Sequence, residues 1–227
     1  MRNLVLWGHD VNEYKEMFDL SEEEIHTKIL EFGCGPSAVN TQLNKKNIEV
    51  VSCDPLFVLD KDTLYSKSVL IFSQMAEEIK AVQDHFDFSQ SGGFEHLLAK
   101  RKAGFEQFFA DYPQGKTEGR YLGVNDCQLP FADFTFDFAL CSHYLFADLE
   151  NQSVAFHLDV LRELARVAKE VRIFPLIDKD GNTSPFLGPV LLSLQQENYG
   201  IEVREVAFHL QKSGNAMLRV WAQECKV

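Results

Sequence analysis

Apolar residues recur along the chain in two alternating patterns. Short apolar runs suit buried strands, whereas spacings of three and four residues mark one face of a helix. The runs that predict strands lie at 28–32, 48–53, 120–124, 136–141 and 171–175. The clearest helical spacing lies at 154–168. Strands that alternate with helices predict an α/β domain with a doubly wound, mostly parallel sheet that helices cover on both faces.

The two ends of the chain extend this pattern. Residues 201–208 and 216–223 predict two further strands, and the short link between them favours an antiparallel pair at the sheet edge. We therefore expect a seven-stranded sheet whose last strand is antiparallel. Residues 1–27 predict an N-terminal helical cap, in which Ser21 and Glu24 form a capping box.

The connection between the second and third strands is long. It covers residues 57–118, and apolar residues recur there at helical spacing on both sides of Gly92 and Gly93. A structureless loop of this length is uncommon in a compact domain, so we expect a helical insertion. Its position favours a lid that opens about the glycines and covers the mouth of the active site. The alternative is a helical decoration packed away from the cleft.

Composition and charge narrow the class of protein. The 227 residues suit a single domain, 1–227, and the formal net charge of −12 argues against a nucleic-acid partner. We interpret the short basic runs at 45–46 and 100–102 as solvated helix faces. No apolar run is long enough for a membrane span or a signal peptide. Five cysteines without zinc-binding spacing predict reduced thiols, a cytoplasmic location and no metal.

Candidate chemistry follows the first two strands. Gly33 and Gly35 come directly after strand one, and Asp54 ends strand two. Glycines let a ligand approach the backbone, the next helix offers N–H groups to an anion, and an acid at this place suits ribose hydroxyls. This pattern predicts a nucleoside-containing ligand. Asp54 is also suited to capping a helix, since Pro55 follows it.

Two kinds of cofactor fit the glycine turn. Gly33, Gly35 and Ala38 fit the dinucleotide frame G-x-G-x-x-A. However, Glu31 two residues before the first glycine, together with Gly33-Cys34-Gly35, resembles the first motif of class I S-adenosylmethionine-dependent methyltransferases. The segments NDCQLPFADFTFD (125–137), SHYLF (142–146) and LRELARV (161–167) are similar to later motifs of that family. The resemblance covers residues 28–54 and 120–175.

The resemblance implies a Rossmann-like fold, S-adenosylmethionine as cofactor and S-adenosylhomocysteine as product. It places Glu31, Gly33, Cys34 and Gly35 at the methionine part of the cofactor, Asp54 at the ribose, Pro55 and Leu56 at the adenine face, Asp126 and Cys127 at the adenine amino group, and Ser142 and His143 at the reactive methyl. The chain departs from the family at two places. Ser37 replaces the third glycine of the motif, and the 57–118 connection is longer than usual.

The role of His143 has two interpretations. A neutral imidazole beside the methyl group can act as a general base toward the acceptor. It can equally be a hydrogen-bonded histidine in the wall of the site. Trp7 and Tyr14 are interpreted as core residues of the cap, with closure over a sulfonium as the alternative.

The expected function is methyl transfer to a small molecule or a protein side chain. Two alternatives fit the same residues. One is an NAD(P)-dependent oxidoreductase, and the other is a non-catalytic nucleoside-binding protein of the same fold.

Overall fold

The computed structural model describes residues 7–124, 128–146, 151–178 and 180–222. A seven-stranded sheet forms its centre. The strands are β1 (Ile29–Phe32), β2 (Val50–Asp54), β3 (Tyr121–Gly123), β4 (Phe136–Ser142), β5 (Ala168–Phe174), β6 (Tyr199–Glu205) and β7 (Ala216–Ala222). The helices are α1 (Val11–Met17), α2 (Val39–Asn44), α3 (Lys61–Ala81), α4 (Phe94–Thr117), α5 (Val154–Val167) and α6 (Leu187–Gln196). Short 3-10 turns lie at Glu24–His26, Pro55–Val58, Gln83–His85 and Ser89–Ser91.

The strand order is β3-β2-β1-β4-β5-β7-β6. The first five strands are parallel, and β7 lies antiparallel between β5 and β6. This arrangement confirms the predicted Rossmann-like sheet with its antiparallel last strand. The chain order changes direction between β1 and β4, so ligands are expected at the carboxyl ends of these two strands.

Helices cover both faces of the sheet. On one face, the apolar side of α5 buries Leu161 in the same cluster as Val171 of β5. On the other face, Met17 of α1 and Val39 of α2 pack in one cluster with Ile29 of β1. No helix within the described ranges is long and apolar enough to cross a membrane.

Strand boundaries differ from the predictions at the fifth and sixth strands. β5 begins at Ala168, three residues earlier than expected, because Ala168 pairs with Phe136 as soon as α5 ends. β6 ends at Glu205 instead of residue 208, and residues 206–215 form the turn before β7.

The segment between β2 and β3 is a helical insertion, as predicted. Its middle is attached to the turn between β6 and β7, since the Asp87 amide donates to the Leu210 carbonyl at 2.8 Å and the Lys212 amide donates to the His85 carbonyl at 3.1 Å. β6 runs parallel to β5, so this turn lies at the carboxyl edge of the sheet. The insertion therefore crosses the edge at which a ligand is expected, and its opening as a lid stays a prediction.

Candidate active site

Two aromatic rings lie directly on the glycine turn after β1. Gly33 and Gly35 both have positive φ, at 66° and 56°. A Cβ at Gly33 would come within 2.3 Å of the Tyr144 ring, and a Cβ at Gly35 would come within 2.5 Å of the Trp7 indole nitrogen. Both positions therefore require glycine, because the backbone has positive φ and because the aromatic rings leave no room for a Cβ atom.

Asp54 ties the end of β2 to this turn. Its side chain is buried, and its two oxygens accept from the Gly35 amide and the Leu56 amide, both at 2.8 Å. The second bond caps the 3-10 turn that starts at Pro55, so the capping interpretation is correct. Burial raises the pKa of Asp54 to about 6, against the effect of the two amides. Its role toward ribose stays a prediction.

Glu31 lies fully buried near the carboxyl end of β1, between β2 and β4. Its carboxylate accepts from the Ser52 hydroxyl at 2.5 Å and from the Ser37 hydroxyl at 3.2 Å. Ser37, at the place of the third glycine of the family motif, thus holds Glu31. Burial raises the pKa of Glu31, and the nearby Asp54 raises it further. The same burial raises the pKa of the Cys34 thiol well above its usual range.

These two acids lack a counter-charge. Within the described ranges, no lysine or arginine forms an ion pair with Glu31 or Asp54, and none is a main cause of the shifts in their pKa values. The buried Tyr14 hydroxyl lies near Glu31 and lowers the pKa of that carboxyl. We call Glu31, Asp54 and the glycine turn 33–35 the acidic half of the site. It suits a ligand that brings a positive charge.

The loop after β4 forms the neighbouring part of the site. His143 and Phe146 have positive φ values of 56° and 67°, which are uncommon for residues with side chains and are found at functional sites. The Ser142 hydroxyl lies 2.7 Å from His143 Nδ1, and the His143 amide donates to the Phe174 carbonyl at 2.7 Å. These bonds fix the imidazole at the carboxyl edge of the sheet.

His143 stacks on a second histidine. The rings of His9 and His143 are 5.1 Å apart and inclined by only 13°. Burial lowers the pKa of His143 well below its usual range, and the nearby His9 lowers it further. Burial therefore favours the neutral imidazole, which is the state that a general base requires.

The N-terminal segment contributes Glu13 to a buried ion pair next to the stacked histidines. Glu13 Oε2 accepts from His9 Nδ1 at 3.2 Å and from Arg101 Nη1. Burial opposes ionisation of Glu13, but the His9 hydrogen bond and the Arg101 charge outweigh it and hold its pKa well below the usual range. We call His9, Glu13, Arg101 and His143 the arginine half of the site.

Arg101 corrects the interpretation of the basic run at 100–102. We expected a solvated helix face, but Arg101 is 0% exposed. The buried face of α4 contains residues 101, 104, 105 and 108. The helical spacing of Arg101 relative to these residues could therefore have indicated that its side chain is buried. No local pattern indicates the role of His9, because its partners come from elements distant in the sequence.

The start of α2 also differs from the expectation of N–H groups available to an anion. The Ala38 amide donates to the His9 carbonyl at 2.9 Å, and the Val39 amide donates to the Ser37 hydroxyl at 3.1 Å. These two donors are therefore not presented to a ligand. Asp126 and Cys127 lie outside the described residues, while Pro55 and Leu56 are half-buried in the turn after β2.

No protein-family model matches the chain. An uncharacterized protein of Methanocaldococcus jannaschii is 26% identical over 219 residues, which cover 96% of each chain.

Several solved structures are similar at low identity. TrmN from Thermus thermophilus is 12% identical with a TM-score of 0.45, and the match covers 87% of this chain and 44% of TrmN, so the chain spans less than half of that protein. Magnesium protoporphyrin IX methyltransferase (ChlM) from Synechocystis, solved with bound SAM, is 11% identical with a TM-score of 0.46, over 93% of this chain and 81% of that one. A SAM-dependent methyltransferase from Aquifex aeolicus is 17% identical with a TM-score of 0.42, over 92% of both chains.

Proposed function

We propose that this chain is an S-adenosylmethionine-dependent methyltransferase that acts on a small molecule or a protein side chain. The observation that carries the proposal is the acidic half of the site. Two buried acids, Glu31 and Asp54, lie beside a glycine turn at the switch point of the sheet without a described cationic partner. S-adenosylmethionine carries a sulfonium and an ammonium group, so its charges complement this site.

The residues present fit the cofactor in charge and in hydrogen-bonding groups. Asp54 has acceptor capacity left for ribose hydroxyls, because each of its oxygens takes only one amide bond. Glu31, a buried carboxylate with hydroxyl partners and no described cationic partner, suits the ammonium group. Trp7 and Tyr144 cover the glycines, so binding requires these rings to move aside, where their faces can contact the sulfonium.

When bound, S-adenosylmethionine supplies an electrophilic methyl group on a sulfonium sulfur. The chain's contribution is then to position the acceptor and exclude water, which the insertion above the carboxyl edge favours. The Ser142 hydroxyl contacts the His143 ring and burial favours its neutral form, so His143 can take a proton from the acceptor at a ring nitrogen.

Both alternative functions are less well supported. The uncompensated acids and the occupied amides of Ala38 and Val39 disfavour a pyrophosphate, which a nicotinamide dinucleotide would place at this turn. The buried imidazole of His143 at the carboxyl end of β4 offers a general base, which a passive binding protein does not need.

Calorimetric titration with S-adenosylmethionine, S-adenosylhomocysteine and NAD tests the proposal. We expect the first two to bind and NAD not to bind. Asp54→Ala should weaken S-adenosylhomocysteine binding by about 1–3 kcal/mol through the lost hydrogen bonds. His143→Ala is the matched control, because that residue faces the acceptor. Binding of NAD alone, or an unchanged affinity in folded Asp54→Ala, would contradict the proposal.

A further inference from the structure

Arg101 presents unused donors inside the arginine half. The side chain comes from α4 of the insertion and is fully buried. Its Nη1 pairs with Glu13, but Nε and Nη2 have no hydrogen-bond partner among the described residues. Buried donors without a partner are rare, because taking them out of water without a new bond is unfavourable. Each such group therefore needs an explanation.

The two unused nitrogens form one geometric unit. In a planar guanidinium, the N–H bonds of Nε and of the adjacent Nη2 are parallel and lie on the same side. This pair matches two oxygens of a carboxylate or phosphate, which is why arginine binds such groups bidentately. Glu13 occupies Nη1, so the ion pair leaves the Nε and Nη2 donors available to a second oxyanion.

The surrounding charges do not already satisfy this donor pair. Lys100 Nζ lies 3.1 Å from Asp10 and 3.2 Å from Glu13. The two negative charges of Asp10 and Glu13 therefore cancel the two positive charges of Lys100 and Arg101. His9 stays neutral, since burial and the Arg101 charge lower its pKa to about 4. Its buried Nε2 has no hydrogen-bond partner among the described residues, and it can accept from a ligand donor.

The donor pair lies where an acceptor is expected. Glu13 Oε2 binds both Arg101 and His9, and His9 stacks on His143 at the carboxyl end of β4. The α4 backbone is held against the N-terminal segment, because a Cβ at Gly104 would come within 2.2 Å of the Gly8 carbonyl oxygen. The insertion thus fixes Arg101 beside the imidazole that follows β4.

We propose that the Nε and Nη2 donors of Arg101 bind a carboxylate or phosphate group of the methyl acceptor. The acceptor is then an anionic molecule or side chain, oriented by Arg101 so that its reacting atom faces His143. This inference rests on the proposed methyltransferase function for the identity of the ligand as an acceptor. The oxyanion site itself rests only on the contacts of Arg101 and its neighbours.

Titration with sodium acetate and with sodium phosphate tests the site. The imidazole C–H resonances of His9 and His143 are followed by NMR in protein saturated with S-adenosylhomocysteine, at ionic strength held constant with sodium chloride. We expect saturable shifts. The anion that binds more tightly, acetate or phosphate, distinguishes a carboxylate ligand from a phosphate ligand.

The Arg101→Lys variant keeps the positive charge but loses the two parallel N–H donors, so anion binding should weaken about tenfold or more. Lys102→Met, which removes an exposed charge one position along α4, should match the wild type.

A second variant covers the case in which a single change disturbs folding. Arg101→Met leaves Glu13 buried and unpaired, whereas Arg101→Met with Glu13→Gln removes both charges. The double variant should fold, bind S-adenosylhomocysteine within about threefold of the wild type, and show no saturable shift, because the bidentate bonds are lost. Absence of shifts in the wild type, or equal binding by Arg101→Lys, would overturn the inference. Loss of S-adenosylhomocysteine binding in the wild type, with the acetate or phosphate shifts retained, would instead overturn the proposed function alone.

Discussion

The two halves of the site handle buried charge in opposite ways. In the acidic half, Glu31 and Asp54 are buried with hydroxyl and amide partners only, and their pKa values are raised. In the arginine half, Glu13 is buried against Arg101, and its pKa is held well below the usual range. Both halves lie at one edge of one sheet. The difference therefore reflects the partner that each acid has within the chain.

This difference indicates which half needs a ligand for its charge. A buried acid paired with an arginine is compensated by the fold, whereas an unpaired buried acid lowers stability unless something else compensates it. The acidic half therefore suits a cationic ligand. The arginine half has balanced charges, and Arg101 Nε and Nη2 and His9 Nε2 have no hydrogen-bond partner among the described residues, so it suits an oxyanion.

The largest expected effect comes from the same substitution made in both halves. Glu13→Gln leaves Arg101 buried without its counter-charge, so it should lower the free energy of unfolding by about 3 kcal/mol. Glu31→Gln removes an uncompensated charge and keeps acceptor capacity for Ser37 and Ser52, so stability should change by less than about 1 kcal/mol or increase. Urea denaturation of the two variants without ligand measures this. Equal losses in both would remove the distinction between the halves.

Ligand affinity should rank these variants in the reverse order. Glu31→Gln should weaken S-adenosylmethionine binding about tenfold, because the ammonium group loses a charged acceptor. Folded Glu13→Gln should bind the cofactor within about threefold of the wild type, since the arginine half holds no part of it. Calorimetry of both at one temperature and salt concentration gives the comparison. A larger loss of affinity in Glu13→Gln than in Glu31→Gln would place the cofactor in the arginine half and contradict the assignment.

The pH dependence of binding follows from the raised pKa of Asp54. Without ligand, the contribution of this acid to stability is present below its unfolded pKa of about 4 and is lost as pH rises through about 6. A ligand that hydrogen-bonds to the carboxylate prefers the ionised form, so S-adenosylhomocysteine affinity should rise from pH 5 to 7 and then level off. Asp54→Asn should flatten this profile. An affinity that falls over the same range would contradict the assignment of Asp54 to the ligand.

The smallest expected effect concerns the insertion. The 83–91 segment is attached to the turn between β6 and β7, whereas Gly92 and Gly93 separate it from α4. Hydrogen exchange with S-adenosylhomocysteine and the tighter oxyanion probe should therefore show a modest gain of protection at the start of α4. Residues 207–212 should change little and serve as the internal reference. Identical exchange with and without ligands would reject the lid.

The sequence was sufficient to predict the sheet and the proximity of the glycine turn to Asp54. Regular alternation of strands and helices fixed the order of the elements, and Gly33, Gly35 and Asp54 lie at neighbouring strand ends, as the parallel arrangement requires. These features depend on residues close in sequence to the strands. The class of fold and the location of the glycine turn therefore followed from local patterns.

The arginine half was not predictable in the same way. Glu13 and Arg101 are 88 positions apart, and helical spacing does not reveal which element covers a given face. A basic run on a helix is usually solvated, and here the approach of Gly104 to Gly8 brings it into the interior. The early start of β5 has a similar cause, since pairing with β4 extends the strand beyond its apolar run.

A crystal structure with S-adenosylhomocysteine tests the central claim most directly. We expect the ribose hydroxyls to lie within hydrogen-bond distance of Asp54 and the ammonium group to lie at Glu31. We also expect that Trp7 and Tyr144 no longer contact Gly35 and Gly33, and that the arginine half holds no cofactor. A ligand seated at Arg101, or bound away from the glycine turn with both aromatic rings in place, would contradict the account.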